Sequence, residues 1–457
     1  MSELVGRDPG TGELLRVETA GGIISRITRI GGPAGTPSDI TWVGGPARAP
    51  SGAACGDAVI INGAAGASGY ARFEDAAFED APWIAPGLID LQVNGYQGFD
   101  VNEPELRQQT VAGLVLALRR VGVTTVVPTL ITAPADQLLA SLATIARARR
   151  ASGDRPCRDR ASEDRACGNA ASGDFSSGGL AHAIPFVHVE GPFLSDQDGP
   201  RGVHDARHIR PPDVAEVRAW QRASDGLVGM VTISPHWPGS AEFIRAATGL
   251  GIRVAIGHTH ATSEQVHEAV AAGATVSTHL GNGAHATLPR HPNYLWAQLA
   301  DDNLRVGLIA DGHHLPADTF KAMVRAVGLD RAHLVSDATS LAGMAPGRYR
   351  TPLGDTVDLS PDGRLSHVGT PYLAGAARGL HECAALATEL GDLSLDAALA
   401  LATRNPARLL PPGEPPRGVL AVSAAADLIT FDFTPGDQLL RATTVLTDGR
   451  GSSHSPW

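Results

Sequence analysis

Eight short runs rich in Val, Ile and Thr punctuate the middle of the chain: Gly87–Val93, Val123–Thr129, Ile184–Glu190, Leu227–Ser234, Ile252–His258, Thr275–His279, Arg305–Asp311 and His333–Asp337. Most are separated by segments with helical spacing. In Glu105–Val121 the residues Val111, Leu114, Val115 and Leu118 make one apolar stripe, and Ser263–Ala272 has the same character. Nearly unbroken apolar strands alternating with helices predict an α/β fold with a parallel sheet covered on its outside, and eight units predict a (β/α)8 barrel of the TIM type. The barrel is expected over residues 86–405. That leaves residues 1–85 and 406–457, where Leu15–Ile30, Ala81–Ile84, Ala426–Phe433 and Leu439–Leu446 read as strands of a small β-sandwich domain built from both chain termini.

Polar residues interrupt this pattern at telling places. Glu190, His258, His279 and Asp337 each close one of the eight runs. In a barrel the strand C-terminal ends meet at one mouth, so four such side chains converge there. A carboxylate and two imidazoles make a three-ligand site for a divalent metal, and a further carboxylate can move protons for water. The residues read as a metal-dependent hydrolase. Sixteen of the seventeen histidines lie between His182 and His381, inside the expected barrel. Burial as a neutral core residue is the ordinary explanation for His188, His267, His333 and His381, although His188 shares a strand face with Glu190 and could support it.

Composition narrows the class. The 457 residues exceed one ordinary domain. The net charge is −11, and no basic run is longer than Arg147-Ala148-Arg149-Arg150, which argues against nucleic acid but not against a small anionic substrate. No apolar run reaches membrane-spanning length and Met1–Gly10 is polar, so the expectation is a cytoplasmic protein without a membrane partner. Four cysteines, Cys55, Cys157, Cys167 and Cys383, are too scattered for a disulfide framework. Arg149–Gly179 holds hardly any large apolar residue and reads as a flexible insertion carrying incidental thiols; Gly31–Gly69 reads as a long loop.

The motifs, taken in order, resemble those of the N-acetylglucosamine-6-phosphate deacetylases of the amidohydrolase superfamily. Ala85-Pro86-Gly87-Leu88-Ile89-Asp90-Leu91-Gln92-Val93-Asn94-Gly95 is similar to their first-strand motif, His188-Val189-Glu190-Gly191-Pro192-Phe193-Leu194 to the metal-carboxylate motif, and Arg201-Gly202-Val203-His204 to a downstream histidine motif. Gly257-His258-Thr259-His260-Ala261-Thr262 and Thr278-His279-Leu280-Gly281-Asn282 resemble the two metal-histidine motifs. Ile309-Ala310-Asp311-Gly312-His313-His314, Leu334-Val335-Ser336-Asp337-Ala338 and Ala402-Thr403-Arg404-Asn405-Pro406-Ala407-Arg408 complete the set. The resemblance implies one metal ion per subunit on Glu190, His258 and His279, zinc first, with iron, cobalt or manganese compatible. Gln92 and Asn94 stand where many amidohydrolases carry the His-x-His of a second metal, and neutral amides ligate transition metals poorly.

The resemblance also implies roles. Asp337 would relay the proton, His204 would stabilise the oxyanion and His314 would orient the sugar, in an acetamide hydrolysis that releases acetate. It implies a homodimer, with an arginine reaching the neighbour's substrate phosphate; Arg290 is the candidate, with Asn282 and Gly283 beside the anion. The family's Asn-Ala-Met loop is replaced here by Asn282-Gly283-Ala284, which keeps open an unphosphorylated or differently substituted N-acyl amino sugar. A cyclic amidase or aminohydrolase is disfavoured by Gln92 and Asn94. A catalytically silent scaffold is the remaining alternative, and it would not be expected to retain all four polar residues.

Overall fold

A computed structural model describes residues 2–30, 81–151, 179–351, 356–413 and 415–453. Cys55, Cys157 and Cys167, the loop expected at Gly31–Gly69 and most of the insertion expected at Arg149–Gly179 lie outside the described residues.

All eight barrel strands form: β1 (Leu88–Val93), β2 (Val123–Ile131), β3 (Val187–Glu190), β4 (Val228–Ile233), β5 (Arg253–Ile256), β6 (Ala274–Ser277), β7 (Arg305–Leu308) and β8 (Ala332–Leu334). They pair in chain order, each parallel to the next. Every residue of β1 is buried, the mark of a strand covered on both faces. Inside the barrel Ile89, Leu91, Val127, Met230, Ala255 and Val276 pack together, while Leu88, Val126, Val231 and Val254 belong to the outer core against the helices.

The seam between β8 and β1 closes beyond the end of β8. The Asp337 N–H donates to the Gln92 carbonyl at 3.0 Å and the Asn94 N–H to the Ala338 carbonyl at 2.9 Å. The Asp90 carboxylate also crosses it, accepting the Ser336 N–H at 3.2 Å.

The expected helices form for the expected reasons. Gln108–Arg120 buries Val111, Leu114, Val115 and Leu118 on one stripe. Ser263–Ala272 begins at a capping box, in which Thr262 accepts the Gln265 N–H and the Gln265 side chain accepts the Thr262 N–H, and ends at Gly273 with φ 117°.

The chain termini form a small β-sandwich that is continuous in hydrogen bonding. Its seven strands run in the order Arg450–Ser453, Arg441–Thr447, Leu428–Asp432, Trp83–Pro86, Ser2–Arg7, Leu14–Ala20, Ile23–Ile30. The stretch expected as one strand over Leu15–Ile30 is a hairpin, because Gly21 and Gly22 adopt φ 59° and 82°, which a two-residue turn of the primed type requires. Ser2–Arg7 and Arg450–Ser453 escape sequence reading, having too few large apolar residues to show a period. A three-stranded sheet, Gly347–Arg350, Thr356–Leu359 and Leu365–His367, follows the barrel around Val357, Leu359 and Leu365. Among the described residues no helix is long and apolar enough to cross a membrane.

Asp427 ties the sandwich to the barrel. Its carboxylate lies 2.7 Å from His182 Nε2 and 3.8 Å from Arg417 Nη1, and Arg417 donates onward to Thr125 Oγ1 of β2 at 3.0 Å. Burial works to raise the Asp427 carboxyl, but the His182 hydrogen bond and the His182 and Arg417 charges prevail and hold it below the ordinary range. Its stabilisation is therefore complete above the ordinary carboxylate pKa and fades as pH falls through the lowered value. Asp427→Ala should cost about 3 kcal/mol of unfolding free energy at neutral pH, read by denaturant titration. The deficit should shrink in acid; an equal deficit at every pH would contradict the ionic origin.

Candidate active site

Three side chains reach the barrel mouth by the same local device. The strands stop at Ile256, Ser277 and Leu334, a little before the residues expected to end them. His258, His279 and Asp337 then take left-handed backbones, with φ 46°, 26° and 49°. Such conformations cost non-glycine residues on the order of 1–3 kcal/mol each and persist where surrounding structure enforces them. Glu190 needs no such turn, since it is the last residue of β3.

Three of these side chains meet. His279 Nε2 lies 3.0 Å from Glu190 Oε1 and 3.1 Å from His258 Nε2, and His258 Nε2 lies 3.5 Å from Glu190 Oε1. His204 joins them, its Nε2 3.3 Å from His258 Nε2, and Glu190, His204 and His258 each bring a ligand-type atom within 4.8 Å of the others. Gln92 Nε2 donates to Glu190 Oε1 at 2.9 Å, and Asn94 Nδ2 donates to Asp337 Oδ1 at 2.8 Å. The residues standing where His-x-His would be thus hold the two carboxylates.

Hydrogen bonds distinguish the imidazoles. His258 Nδ1 faces the Pro200 carbonyl at 2.8 Å, so Nδ1 carries the proton and Nε2 keeps a lone pair for a cation. His204 is set the other way. Its Nδ1 meets the Thr132 hydroxyl at 2.9 Å and the Thr132 backbone N–H, which only donates, at 3.4 Å, an arrangement that leaves the proton on Nε2. His258 and His204 thus meet at Nε2 with opposite settings, and His279 Nε2 lies against the Glu190 carboxylate.

The charges of the cluster are tightly coupled. Burial opposes the Glu190 carboxylate, but hydrogen bonds from His258 and His279 outweigh it and hold it well below the ordinary range. Burial would lower His279; the Glu190 hydrogen bond and charge instead lift it to about 9. Asp337 is pushed up, by burial first and by the Glu190 charge second. His204 falls to about 3, through burial and then the neighbouring His258. Among the described residues no lysine or arginine pairs with Glu190 or Asp337. Two buried carboxylates beside converging imidazole nitrogens, which a cation can take over from their protons, fit a divalent metal.

The remaining expected residues are less tightly gathered. His314 is held by Asp311, its Nδ1 2.7 Å from Asp311 Oδ2, which leaves Nε2 for a ligand. Asn282 Nδ2 donates to the His279 carbonyl at 3.2 Å. Gly283, with φ 56°, backs onto the His258 ring so closely that a Cβ would stand 2.5 Å from Nδ1. Arg290 is exposed and, among the described residues, makes no hydrogen bond or ion pair. His188 bonds Thr232 Oγ1 at 2.7 Å and is pushed down to about 4 by burial, as a core histidine. Sequence reading missed Asp311, Thr132 and the Pro200 carbonyl as orienting groups. Only Asp311 had a signal, since it too closes an apolar run.

A closed parallel barrel with an imidazole–carboxylate cluster at its mouth defines a metal-dependent hydrolase of the barrel class. The amidohydrolase family matches residues 83–453, and the chain belongs to that family. It is 32% identical over 365 residues to an N-acetylglucosamine-6-phosphate deacetylase of Bos taurus, covering 76% of this chain and 79% of that one. An N-acetylgalactosamine-6-phosphate deacetylase of Escherichia coli O157:H7 is 28% identical over 334 residues, covering 72% of this chain and 79% of that protein. A solved structure from Mycobacterium smegmatis superposes with TM-score 0.73 at 28% identity, covering 99% of both chains; it is a mutant N-acetyl-D-glucosamine-6-phosphate deacetylase in complex with N-acetyl-D-glucosamine-6-phosphate.

Proposed function

We propose that this chain hydrolyses the acetamide of N-acetylglucosamine 6-phosphate, giving glucosamine 6-phosphate and acetate. The reading is carried by the convergence of Glu190, His258 and His279 with Asp337 and His204 beside them, in a chain whose relatives bear that deacetylase name. Glu190, His258 and His279 would hold one ion per subunit, zinc in our reading. When bound, such an ion acts as a Lewis acid, polarising a carbonyl and easing the ionisation of water toward neutral pH.

The protein supplies the rest. Asp337 takes the proton of the attacking water and returns it to the departing sugar nitrogen, because an amide does not expel an unprotonated amine readily. Asn94 fixes one of its oxygens, which leaves the other for the proton. His204 donates from Nε2 to the developing oxyanion. Gln92 steadies Glu190, and His314, oriented by Asp311, receives the sugar. Asn282 and the Gly283 N–H would meet the phosphate, with Arg290 supplied across a homodimer, which suits an arginine exposed within its own chain. We assign residues 86–405 to the catalytic barrel and residues 1–85 with 406–457 to the small domain, in a cytoplasmic enzyme.

Acetate release tests the substrate. Wild type should prefer N-acetylglucosamine 6-phosphate over the unphosphorylated sugar. Arg290→Ala should raise KM for the phosphorylated sugar by about 10- to 100-fold, the worth of a charge-assisted hydrogen bond, and leave the other unchanged. Equal wild-type rates on both sugars would remove the phosphate from the reading. N-acetylgalactosamine 6-phosphate, run alongside, decides between the two relatives' named substrates.

A further inference from the structure

We propose that Asp196, His236 and His260 form a second site for a divalent transition metal, zinc by donor chemistry, on the rim of the barrel. Asp196 follows β3, His236 follows β4 and His260 follows β5, so three separate loops contribute one donor each. Their ligand-type atoms lie within 4.8 Å of one another. The two rings face each other with centroids 3.9 Å apart, and Trp237 lies against His236 at 4.4 Å, restricting its rotation.

The hydrogen bonds around these rings suit metal binding. His236 Nδ1 stands 2.6 Å from Ser234 Oγ, and the single proton of that hydroxyl is given to Thr259 Oγ1 at 2.8 Å. Ser234 then accepts from Nδ1–H, which leaves His236 Nε2 with its lone pair. Ser195 Oγ takes the corresponding place on His260, 2.6 Å from Nδ1, and is itself fixed by the Gln197 N–H at 3.1 Å. Two imidazoles with braced Nδ1 atoms and an exposed carboxylate make a three-ligand set that favours zinc, cobalt or nickel over magnesium or calcium. None of the three has a part in the proposed hydrolysis, and the set is complete without Glu190, His279 or Asp337. The site stands or falls independently of the substrate assignment.

Cobalt(II) binding to the intact chain, followed by visible absorption and by metal analysis after desalting, tests it. Wild type should hold two ions per chain. Glu190→Gln, which disables the catalytic centre, should still hold one, and Glu190→Gln with His236→Ala should hold none. Ser234→Ala alone should weaken the rim ion about tenfold or more through loss of the Nδ1 partner. His236→Ala alone should keep wild-type acetate release, a check that it folds. Equal cobalt spectra and metal content in Glu190→Gln with and without His236→Ala would overturn the proposal. If instead Glu190→Gln binds as many ions as wild type, it is the catalytic centre that fails.

Discussion

Asp337→Asn should lower kcat for acetate release by about 10²- to 10⁴-fold while the metal content per chain stays that of wild type. Asparagine is nearly isosteric and tolerates the left-handed backbone that Asp337 adopts, with φ 49°, so the seam through its N–H to the Gln92 carbonyl should persist. It removes only the ability to accept and return a proton. KM should change little, since the carboxylate's work falls in the transition state, and kcat/KM should drop with kcat. Unchanged turnover in this variant would reject the proton-carrying role. Loss of metal together with activity would instead make Asp337 a ligand.

Glu190→Gln is expected to be the other severe change. It exchanges the one carboxylate of the Glu190, His258 and His279 set for a neutral amide, a poor ligand. Acetate release should fall by about 10³-fold or more, the loss of a Lewis acid that supplies several kcal/mol to the transition state. A chelator should silence wild type and added zinc should restore it, whereas zinc should not restore Glu190→Gln. Restoration of the variant at ordinary zinc concentrations, or indifference of wild type to the chelator, would remove the metal from the reaction.

Much of this was readable in the sequence, and the parts that were not have physical reasons. The barrel strands are legible because strands buried on both faces become apolar runs, and the stripe of Val111, Leu114, Val115 and Leu118 is legible because one helix face is dry. The clustering of Glu190, His258, His279 and Asp337 follows from their shared position at run ends. What the residues do not encode is the left-handed turn that aims His258, His279 and Asp337, since histidine and aspartate carry no sign of it as glycine would. The opposite settings of His258 and His204 depend on a Pro200 carbonyl and a Thr132 N–H, backbone groups that every residue type shares. The pairing of His236 with His260 joins residues from different loops, and no period links them. Ser2–Arg7 was missed because its partners, Leu14–Ala20 and Trp83–Pro86, rather than its composition, make it a strand.

Closure of the barrel through Gln92 and Asp337 has a consequence for how such a protein is made. A chain emerging from the ribosome has no pocket until the segment past Ala338 is out, and until then β1 waits with an unpaired edge. Fragments that stop short of that point are expected to aggregate through that edge rather than to survive as weak enzymes, so chaperone demand should persist until that segment has emerged and fall afterwards.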